Sequence, residues 1–224
     1  MSFFKHLVYL ALIICFIFTH NPSYANESYR LLVFGDSLSA GYGLNKNESF
    51  PAQLQEALKE EDYTQVIVLN DSKSGETTQG GLQRIDKALQ MNPNGIIIEL
   101  GVNDVIRGES IATIKNNLSK LIEKCQQKQV AILLAGMKAP PITEPYYAQQ
   151  FANIYTELGK KYDILVYPFF MRGVFGGDKY KIISAVRYLQ PDKAHPNKIG
   201  VSRMVEDIMP TIEKFLKKQG IKPI

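Results

Sequence analysis

Five short apolar runs, rich in β-branched residues, alternate with stretches of helical periodicity along the chain. The runs cover residues 31–34, 66–69, 95–100, 130–135 and 164–166, and each predicts a β-strand. Apolar strands that alternate with helices are typical of a parallel sheet covered by helices on both faces. The pattern therefore predicts an α/β domain with a five-stranded parallel sheet, in which a ligand binds beyond the carboxyl ends of the strands.

Helical periodicity fills the segments between and after these strands. The apolar stripes run through residues 50–58, 82–89, 111–125, 146–162 and 197–216. Pro51 stands where the first turn of a helix accepts proline, whereas Pro210 lies inside the last helix and predicts a kink or a split near Met209. Cys125 falls on an apolar helix face, which favours packing over a reactive thiol.

The first 25 residues have a different pattern. Lys5 and His6 precede an uncharged apolar run over residues 7–18, and the Ser-Tyr-Ala sequence at 23–25 places small residues two positions apart. These features predict a secretory signal peptide cleaved after Ala25, and hence an exported protein, periplasmic or secreted. The alternative is an uncleaved membrane anchor, but the run is shorter than the roughly 20 residues that a span needs. No repeat or linker divides residues 26–224, so we expect one domain there.

Composition narrows the class of protein further. The chain has 224 residues, of which 45% are hydrophobic and 21% charged, as in ordinary globular proteins. Its formal net charge of +4 is small and not clustered, which argues against a nucleic-acid partner. After removal of the signal peptide, His195 is the only histidine and Cys125 the only cysteine. An intramolecular disulfide is therefore excluded, and so is a histidine-rich or structural zinc site.

Ser37 follows the first predicted strand directly and is a candidate nucleophile. Serine needs a base, and His195 is the only imidazole that the mature chain offers. Asp192, three residues earlier, can orient the imidazole and stabilise its charged form. The alternatives are a helix-capping or turn serine and a surface histidine. The sequence around Ser37 is neither the G-x-S-x-G elbow of α/β-hydrolases nor a glycine-rich dinucleotide loop.

Two further loops offer hydrogen-bond donors for an oxyanion. Gly75 follows the second strand, where the absence of a Cβ lets a backbone N–H approach a ligand closely. Asn103 follows the third strand, and its side-chain amide is a further donor. Together with the Ser37 N–H, they supply three donors from three separate loops, although each loop alone is also an ordinary polar turn.

Four ordered segments of the chain resemble the conserved blocks of the GDSL/SGNH hydrolase family. They are Gly35-Asp36-Ser37-Leu38, Gly75, Gly101-x-Asn103-Asp104 and Asp192-x-x-His195-Pro196-Asn197. Within the family, the chain is similar to the exported bacterial arylesterase/acyl-CoA thioesterase I/lysophospholipase group. The resemblance implies a three-layer α/β/α flavodoxin-like fold and an ester hydrolase that uses no metal and no organic cofactor.

The resemblance also implies a role for each matching residue. Ser37 is expected to be the nucleophile, His195 the base and Asp192 its orienting partner. The backbone N–H groups of Ser37 and Gly75 and the Asn103 side chain are expected to form the oxyanion hole. Two residues depart from the usual blocks: Val102 and Lys193 both stand where glycine is common. Val102 is expected to narrow the cleft or shift its loop, and Lys193 to alter the turn that aims Asp192.

The substrate is less closely defined than the chemistry. The apolar segment 137–151 contains Ile142, Tyr146 and Tyr147, which are candidates to line an acyl-chain groove, unless the loop packs on the core instead. The resemblance implies esters and thioesters of short to medium acyl chains, aryl esters and lysophospholipids. Lys214, Lys217, Lys218 and Lys222 allow transient contact with a membrane surface, although such charges usually lie at a solvated helix end. A monomer is favoured. The alternatives are a carbohydrate O-deacetylase on the same fold and a non-catalytic binding module.

Overall fold

The computed structural model describes residues 28–176 and 185–224, so the predicted signal peptide at residues 1–25 lies outside the described residues. The five strands are β1 Tyr29–Gly35, β2 Val66–Asn70, β3 Gly95–Glu99, β4 Ala131–Ala135 and β5 Leu165–Tyr167. The α-helices are α1 Ser37–Ala40, α2 Phe50–Glu60, α3 Thr78–Leu89, α4 Val102–Ile106, α5 Ile111–Gln127, α6 Pro145–Tyr162, α7 Arg172–Phe175 and α8 Lys198–Lys218. Two 3₁₀ turns, Lys46–Glu48 and Val186–Tyr188, complete the described elements.

All five strands form one parallel sheet in the order β2-β1-β3-β4-β5. This order is that of flavodoxin-like doubly wound sheets, and it confirms the predicted fold. The order reverses at β1, whose neighbours are β2 on one side and β3 on the other. In the β1–β3 register Gly35 lies opposite Glu99, so both strands end at the same level. A crevice beyond these two carboxyl ends is where such sheets bind ligands.

The core fills both faces of the sheet. Every residue of β3 is buried, as is every residue of β1 except Arg30. The helices pack in two groups: α2 contacts α8, whereas α3, α5 and α6 contact one another in a row. Cys125 is fully buried on α5, and burial raises the pKa of its thiol to about 12. Its side chain is therefore a packing group, as the helical pattern predicts.

The last helix departs from the prediction at Pro210. Because proline lacks an N–H and its ring crowds the preceding turn, a kink or a split near Met209 was expected. The split does not occur, because α8 runs without interruption from Lys198 to Lys218. Met209 and Ile212, on either side of the proline, are both buried, so the helix packs on the core through this region. No helix within residues 28–176 and 185–224 is long and apolar enough to cross a membrane.

Candidate active site

Ser37, His195 and Asp192 lie together at the carboxyl end of β1, although 158 positions separate the serine from the histidine. The imidazole Nε2 of His195 is 2.8 Å from the Ser37 hydroxyl oxygen, and its Nδ1 is 2.7 Å from Asp192 Oδ2. A hydroxyl, an imidazole and a carboxylate in this order form a chain that transfers a proton from the serine to the ring. The structure therefore brings the three predicted triad residues into contact.

The position of Ser37 follows from the way β1 ends. Asp36 caps the short helix α1, and its Oδ1 accepts a hydrogen bond from the Leu38 N–H at 2.9 Å. Ser37 is the first residue of that helix and is half-buried, so its hydroxyl faces the crevice from a fixed backbone. The alternative that Ser37 itself caps a helix is wrong, because Asp36 occupies the capping position.

His195 is held by a tight loop that closes on itself. Leu189 and Pro196 form an antiparallel bridge, and the Gln190 N–H donates to the His195 carbonyl at 2.8 Å. Inside the loop, Asp192 Oδ1 accepts the backbone N–H groups of Ala194 and His195, both at 3.0 Å. Partial desolvation raises the pKa of Asp192, but these backbone bonds and the His195 ring outweigh it and lower the pKa to about 2. The carboxylate is therefore ionised whenever the imidazole needs an anionic partner.

Neither departure from the usual blocks displaces a site residue. Lys193 adopts the left-handed conformation that glycine takes more easily, with φ of 57°, and Asp192 still reaches the imidazole. At the third block the left-handed residue is Gly101, with φ of 129°, and Val102 begins α4 without positive φ. Asn103 extends toward the nucleophile loop all the same. Asn103 therefore contacts Asp36, and Asp192 contacts His195, with Val102 and Lys193 in place.

Three candidate donors surround Ser37, and the structure distinguishes between them. Gly75 has φ of 76°, in the left-handed region that its lack of a Cβ permits. Within the part of the chain that the structure describes, the backbone N–H groups of Ser37 and Gly75 have no protein acceptor. Both remain available to a developing oxyanion.

Asn103 differs, because both hydrogens of its amide already have protein acceptors. Its Nδ2 donates to Asp36 Oδ2 and to the Glu76 carbonyl, at 3.0 Å each. The amide thereby ties the residue before Ser37 to the residue after Gly75. To donate to a substrate oxygen, Asn103 must share or exchange one of these bonds.

Two buried carboxyl groups beneath the nucleophile were not predicted from the sequence. Glu99 Oε2 accepts hydrogen bonds from the Asp36 N–H at 3.1 Å and the Ser39 hydroxyl at 2.8 Å. Burial, followed by the charge of neighbouring Asp36, raises the pKa of Glu99 well above its usual range. Burial also raises the pKa of Asp36, to about 6, against the opposing effect of the Leu38 N–H. The signal in the sequence was a single carboxyl residue at the end of the apolar run 95–100.

Arg84 on α3 fixes the loop that carries Gly75. Its guanidinium pairs with the buried carboxylate of Glu76 and donates to both the carbonyl and the carboxylate of Asp71, at 2.7 and 2.9 Å. It also lies over the Phe34 ring, 3.9 Å from its centroid. Arg107 holds the other side of the loop, where it donates to the Gly75 carbonyl at 2.8 Å. The backbone around Gly75 is therefore anchored from β1, α3 and α4.

The predicted acyl-groove residues lie on the surface of the neighbouring segment. Ile142 is 96% exposed and Tyr146 is 67% exposed, so these two side chains do not pack on the core, whereas Tyr147 is partly buried against it. The Tyr147 hydroxyl donates to the Glu109 carbonyl, joining α6 to the segment that follows α4. Among the described residues, these three side chains make no hydrogen bond or ring contact with Ser37 or His195.

Within residues 28–176 and 185–224, no group of three or more histidine, cysteine, aspartate or glutamate side chains is arranged to hold a metal ion.

Comparison with known proteins gives consistent matches. Residues 33–203 match the GDSL-like Lipase/Acylhydrolase family. Esterase TesA of Pseudomonas aeruginosa is 34% identical over 187 residues, 83% of this chain and 89% of that protein. Thioesterase 1/protease 1/lysophospholipase L1 of Escherichia coli K12 is 31% identical over 190 residues, 84% and 82% of the two chains. The crystal structure of the psychrotrophic esterase EstA from Pseudoalteromonas sp., inhibited by monoethylphosphonate, matches with a TM-score of 0.75 at 31% identity, covering 84% of this chain and 98% of that one.

Proposed function

This chain belongs to the GDSL-like lipase/acylhydrolase family and is a serine ester hydrolase of the SGNH type, and we propose that it works through an acyl-enzyme formed on Ser37. The match to this family confirms the resemblance that the four sequence segments indicated. The observation that supports the proposed roles is the continuous contact from the Ser37 hydroxyl through the His195 ring to the Asp192 carboxylate.

In the proposed acylation step, the Ser37 oxygen attacks the ester carbonyl carbon while its proton passes to His195 Nε2. Asp192 stabilises the imidazolium that forms. The negative charge moves to the carbonyl oxygen, which accepts the free N–H groups of Ser37 and Gly75 and the Asn103 amide. One such donor typically contributes ~3 kcal/mol to transition-state stability. The tetrahedral intermediate then collapses, and His195 gives its proton to the departing alcohol or thiol.

Deacylation repeats these steps with water as the nucleophile. His195 takes a proton from the water, whose oxygen attacks the acyl carbon of the ester on Ser37. The oxyanion occupies the same donors, and collapse returns the proton to the Ser37 oxygen as the carboxylic acid leaves. Every proton and leaving group is accounted for by the three side chains and water.

We propose esters and thioesters of short to medium acyl chains, aryl esters and lysophospholipids as substrates. The names of the relatives, which include an esterase and a thioesterase/lysophospholipase, support this range. Ile142, Tyr146 and Tyr147 are proposed to contact the acyl chain, because the first two present apolar surface and the third joins their segment to the residues that follow α4. We also propose that the enzyme acts after export, as the pattern of residues 1–25 predicts, and that it reaches lipid substrates by transient surface contact as a monomer.

Replacement of Ser37 by alanine tests the nucleophile. By analogy with other serine hydrolases, Ser37→Ala should lower kcat for p-nitrophenyl esters by a factor on the order of 10⁶. Ser202→Ala, at a half-buried serine on α8 whose hydroxyl donates to Glu206, is the matched control and should keep full activity. Retention of activity within tenfold in Ser37→Ala would remove the proposed nucleophile. Mass spectrometry after treatment with a phosphonate ester should locate the label on Ser37.

A series of p-nitrophenyl esters from acetate to laurate tests the substrate range. We expect activity to extend to medium chains, and Ile142→Ser with Tyr146→Ser should reduce activity on the longer esters more than on acetate. A sharp preference for acetate would instead favour the carbohydrate O-deacetylase.

A further inference from the structure

Gln190 joins the segment that follows the nucleophile to the loop that carries the base. Its side-chain Nε2 donates to the Tyr42 carbonyl at 2.7 Å and to the Pro196 carbonyl at 3.0 Å, so both amide hydrogens are used. Its backbone N–H donates to the His195 carbonyl at 2.8 Å. One residue therefore binds to both sides of the crevice.

Each residue to which Gln190 donates a hydrogen bond is itself in contact with Ser37 or His195, or is adjacent to His195 in the chain. On one side, Tyr42 returns to the nucleophile through its N–H, which donates to the Ser37 carbonyl at 3.2 Å. The Tyr42 ring also packs against the His195 imidazole, with 4.6 Å between ring centroids. On the other side, Gln190 contacts the carbonyls of His195 and Pro196 directly. The position of the imidazole over Ser37 is thus fixed through Gln190 as well as through the bond between the two side chains.

The bond between Ser37 and His195 is lost during the proposed reaction, whereas the bonds of Gln190 are not. In the free enzyme the Ser37 hydroxyl donates to His195 and keeps the two loops together. In the acyl-enzyme the serine oxygen is esterified and has no proton to donate. His195 must then hold a water molecule against the acyl carbon without its bond to Ser37, whereas both amide hydrogen bonds of Gln190 remain.

We propose that Gln190 is a positioning residue that keeps His195 in place during deacylation. This inference rests on the proposed function, since it requires an acyl-enzyme on Ser37. It predicts that loss of the amide slows deacylation far more than acylation, because acylation begins while the bond between Ser37 and His195 is intact.

Gln190→Met is the informative variant, because methionine keeps the length of the side chain and removes both donors. A misplacement of the base by about 1 Å costs on the order of 10²-fold in rate, so we expect kcat to fall roughly 10- to 100-fold. The ratio kcat/KM reports acylation and should change by less than about threefold, so KM falls with kcat. The acyl-enzyme should accumulate, and p-nitrophenol should appear in a burst of about one equivalent per chain.

Gln65→Met is the matched control. Gln65 likewise bridges distant segments through its side-chain amide, which donates to the Lys222 carbonyl at 2.6 Å, but it lies at the amino end of β2, away from Ser37. The Gln65→Met variant should keep the wild-type kcat and show no burst, even if its thermal unfolding midpoint falls. Gln190→Glu is the second variant: it keeps the shape of the side chain but turns carboxylate oxygens toward two carbonyls. It should lose at least as much kcat as Gln190→Met.

The outcomes separate this inference from the proposed function. Phosphonate labelling of Ser37 with one equivalent in the wild type and in both Gln→Met variants would support the nucleophile independently of Gln190. A burst with a selective loss of kcat in the Gln190 variants would support the positioning role. Equal losses of kcat and kcat/KM without a burst, or kcat within twofold of wild type, would overturn it. Absence of label in the wild type would instead refute the proposed function.

Discussion

The two sides of the crevice are built in different ways. On the nucleophile side, the carboxyl groups of Asp36 and Glu99 are completely buried and bind the backbone and side chains around Ser37. On the base side, the Asp192 side chain is 40% exposed, and a loop of a few residues holds it through local hydrogen bonds. Ser37 is therefore fixed by the core of the domain, and His195 by a small surface loop.

Because of this difference, we expect substitutions on the His195 side to affect activity alone and substitutions on the Ser37 side to affect both activity and stability. Removing a partner of the groups buried beneath Ser37 should lower the free energy of unfolding strongly, because an unpaired polar group in the core is destabilising. Exposed ion pairs contribute only about 0–1 kcal/mol to stability. Substitutions in the base loop should therefore reduce activity and leave the fold intact, whereas substitutions under Ser37 should affect both.

Asp192→Asn should have the largest effect on activity of the four substitutions that follow. The amide keeps the shape and an oxygen acceptor for the loop but favours the wrong tautomer of His195, so we expect kcat to fall by ~10⁴. The thermal unfolding midpoint should change by only a few degrees, since the side chain is partly exposed. Asp86→Asn, at an exposed ion pair on α3, is the control for activity. A large loss of stability in Asp192→Asn would contradict the proposed difference between the two sides.

Asn103→Ala should reduce both activity and stability. Loss of one oxyanion donor costs about 10²- to 10³-fold in kcat. The substitution also leaves the Asp36 carboxyl and the Glu76 carbonyl without their shared donor, which we expect to lower the free energy of unfolding by ~1–3 kcal/mol. Urea unfolding and steady-state kinetics measure the two effects. Asn94→Ala, which removes the acceptor of the Arg30 N–H at the far end of β1, should reduce stability alone.

Glu99→Gln tests the buried carboxyl through pH. Burial raises the pKa of Glu99 in the folded protein above its unfolded value, so the folded state keeps a proton that the unfolded chain loses. The raised pKa of Asp36, about 6, acts in the same direction. Wild-type stability should therefore fall as pH rises above about 4.5, by at most about 1.4 kcal/mol per pH unit for each titrating group.

In Glu99→Gln this fall should be smaller, which urea unfolding at pH 5 and pH 8 would measure. Glu56→Gln, at an exposed position on α2, should follow the wild-type curve. Asp192 does not interfere in this range, because its lowered pKa affects stability only below about pH 4. Parallel curves for wild type and Glu99→Gln would show that Glu99 does not carry the pH dependence.

Lys193→Gly should have the smallest effect. Lysine at positive φ costs roughly 1 kcal/mol, and glycine relieves this strain while it adds entropy to the unfolded chain. We expect a rise of about 1–3 °C in the thermal midpoint with unchanged kcat. A loss of activity would mean that the lysine, rather than the turn, aims Asp192.

The sequence by itself determined the order of strands and helices, because apolar periodicity is a local property. It also predicted a candidate triad of Ser37, Asp192 and His195, since His195 is the only imidazole outside the first 25 residues. Short elements escaped this reasoning: α1, α4 and α7 have four or five residues and are too short to establish a period. The uninterrupted path of α8 through Pro210 likewise depends on packing that periodicity does not describe.

Tertiary structure decided which polar groups lie beneath and across the site. Nothing near Glu99 in the sequence indicates that its carboxyl receives the Asp36 N–H, and nothing near Gln190 indicates that its amide reaches the Tyr42 carbonyl 148 positions earlier. These partners meet because parallel strands and their crossover helices bring distant carboxyl ends to one edge of the sheet. Sequence patterns record which face of an element is apolar, whereas hydrogen bonds between loops depend on distances that only the assembled sheet fixes.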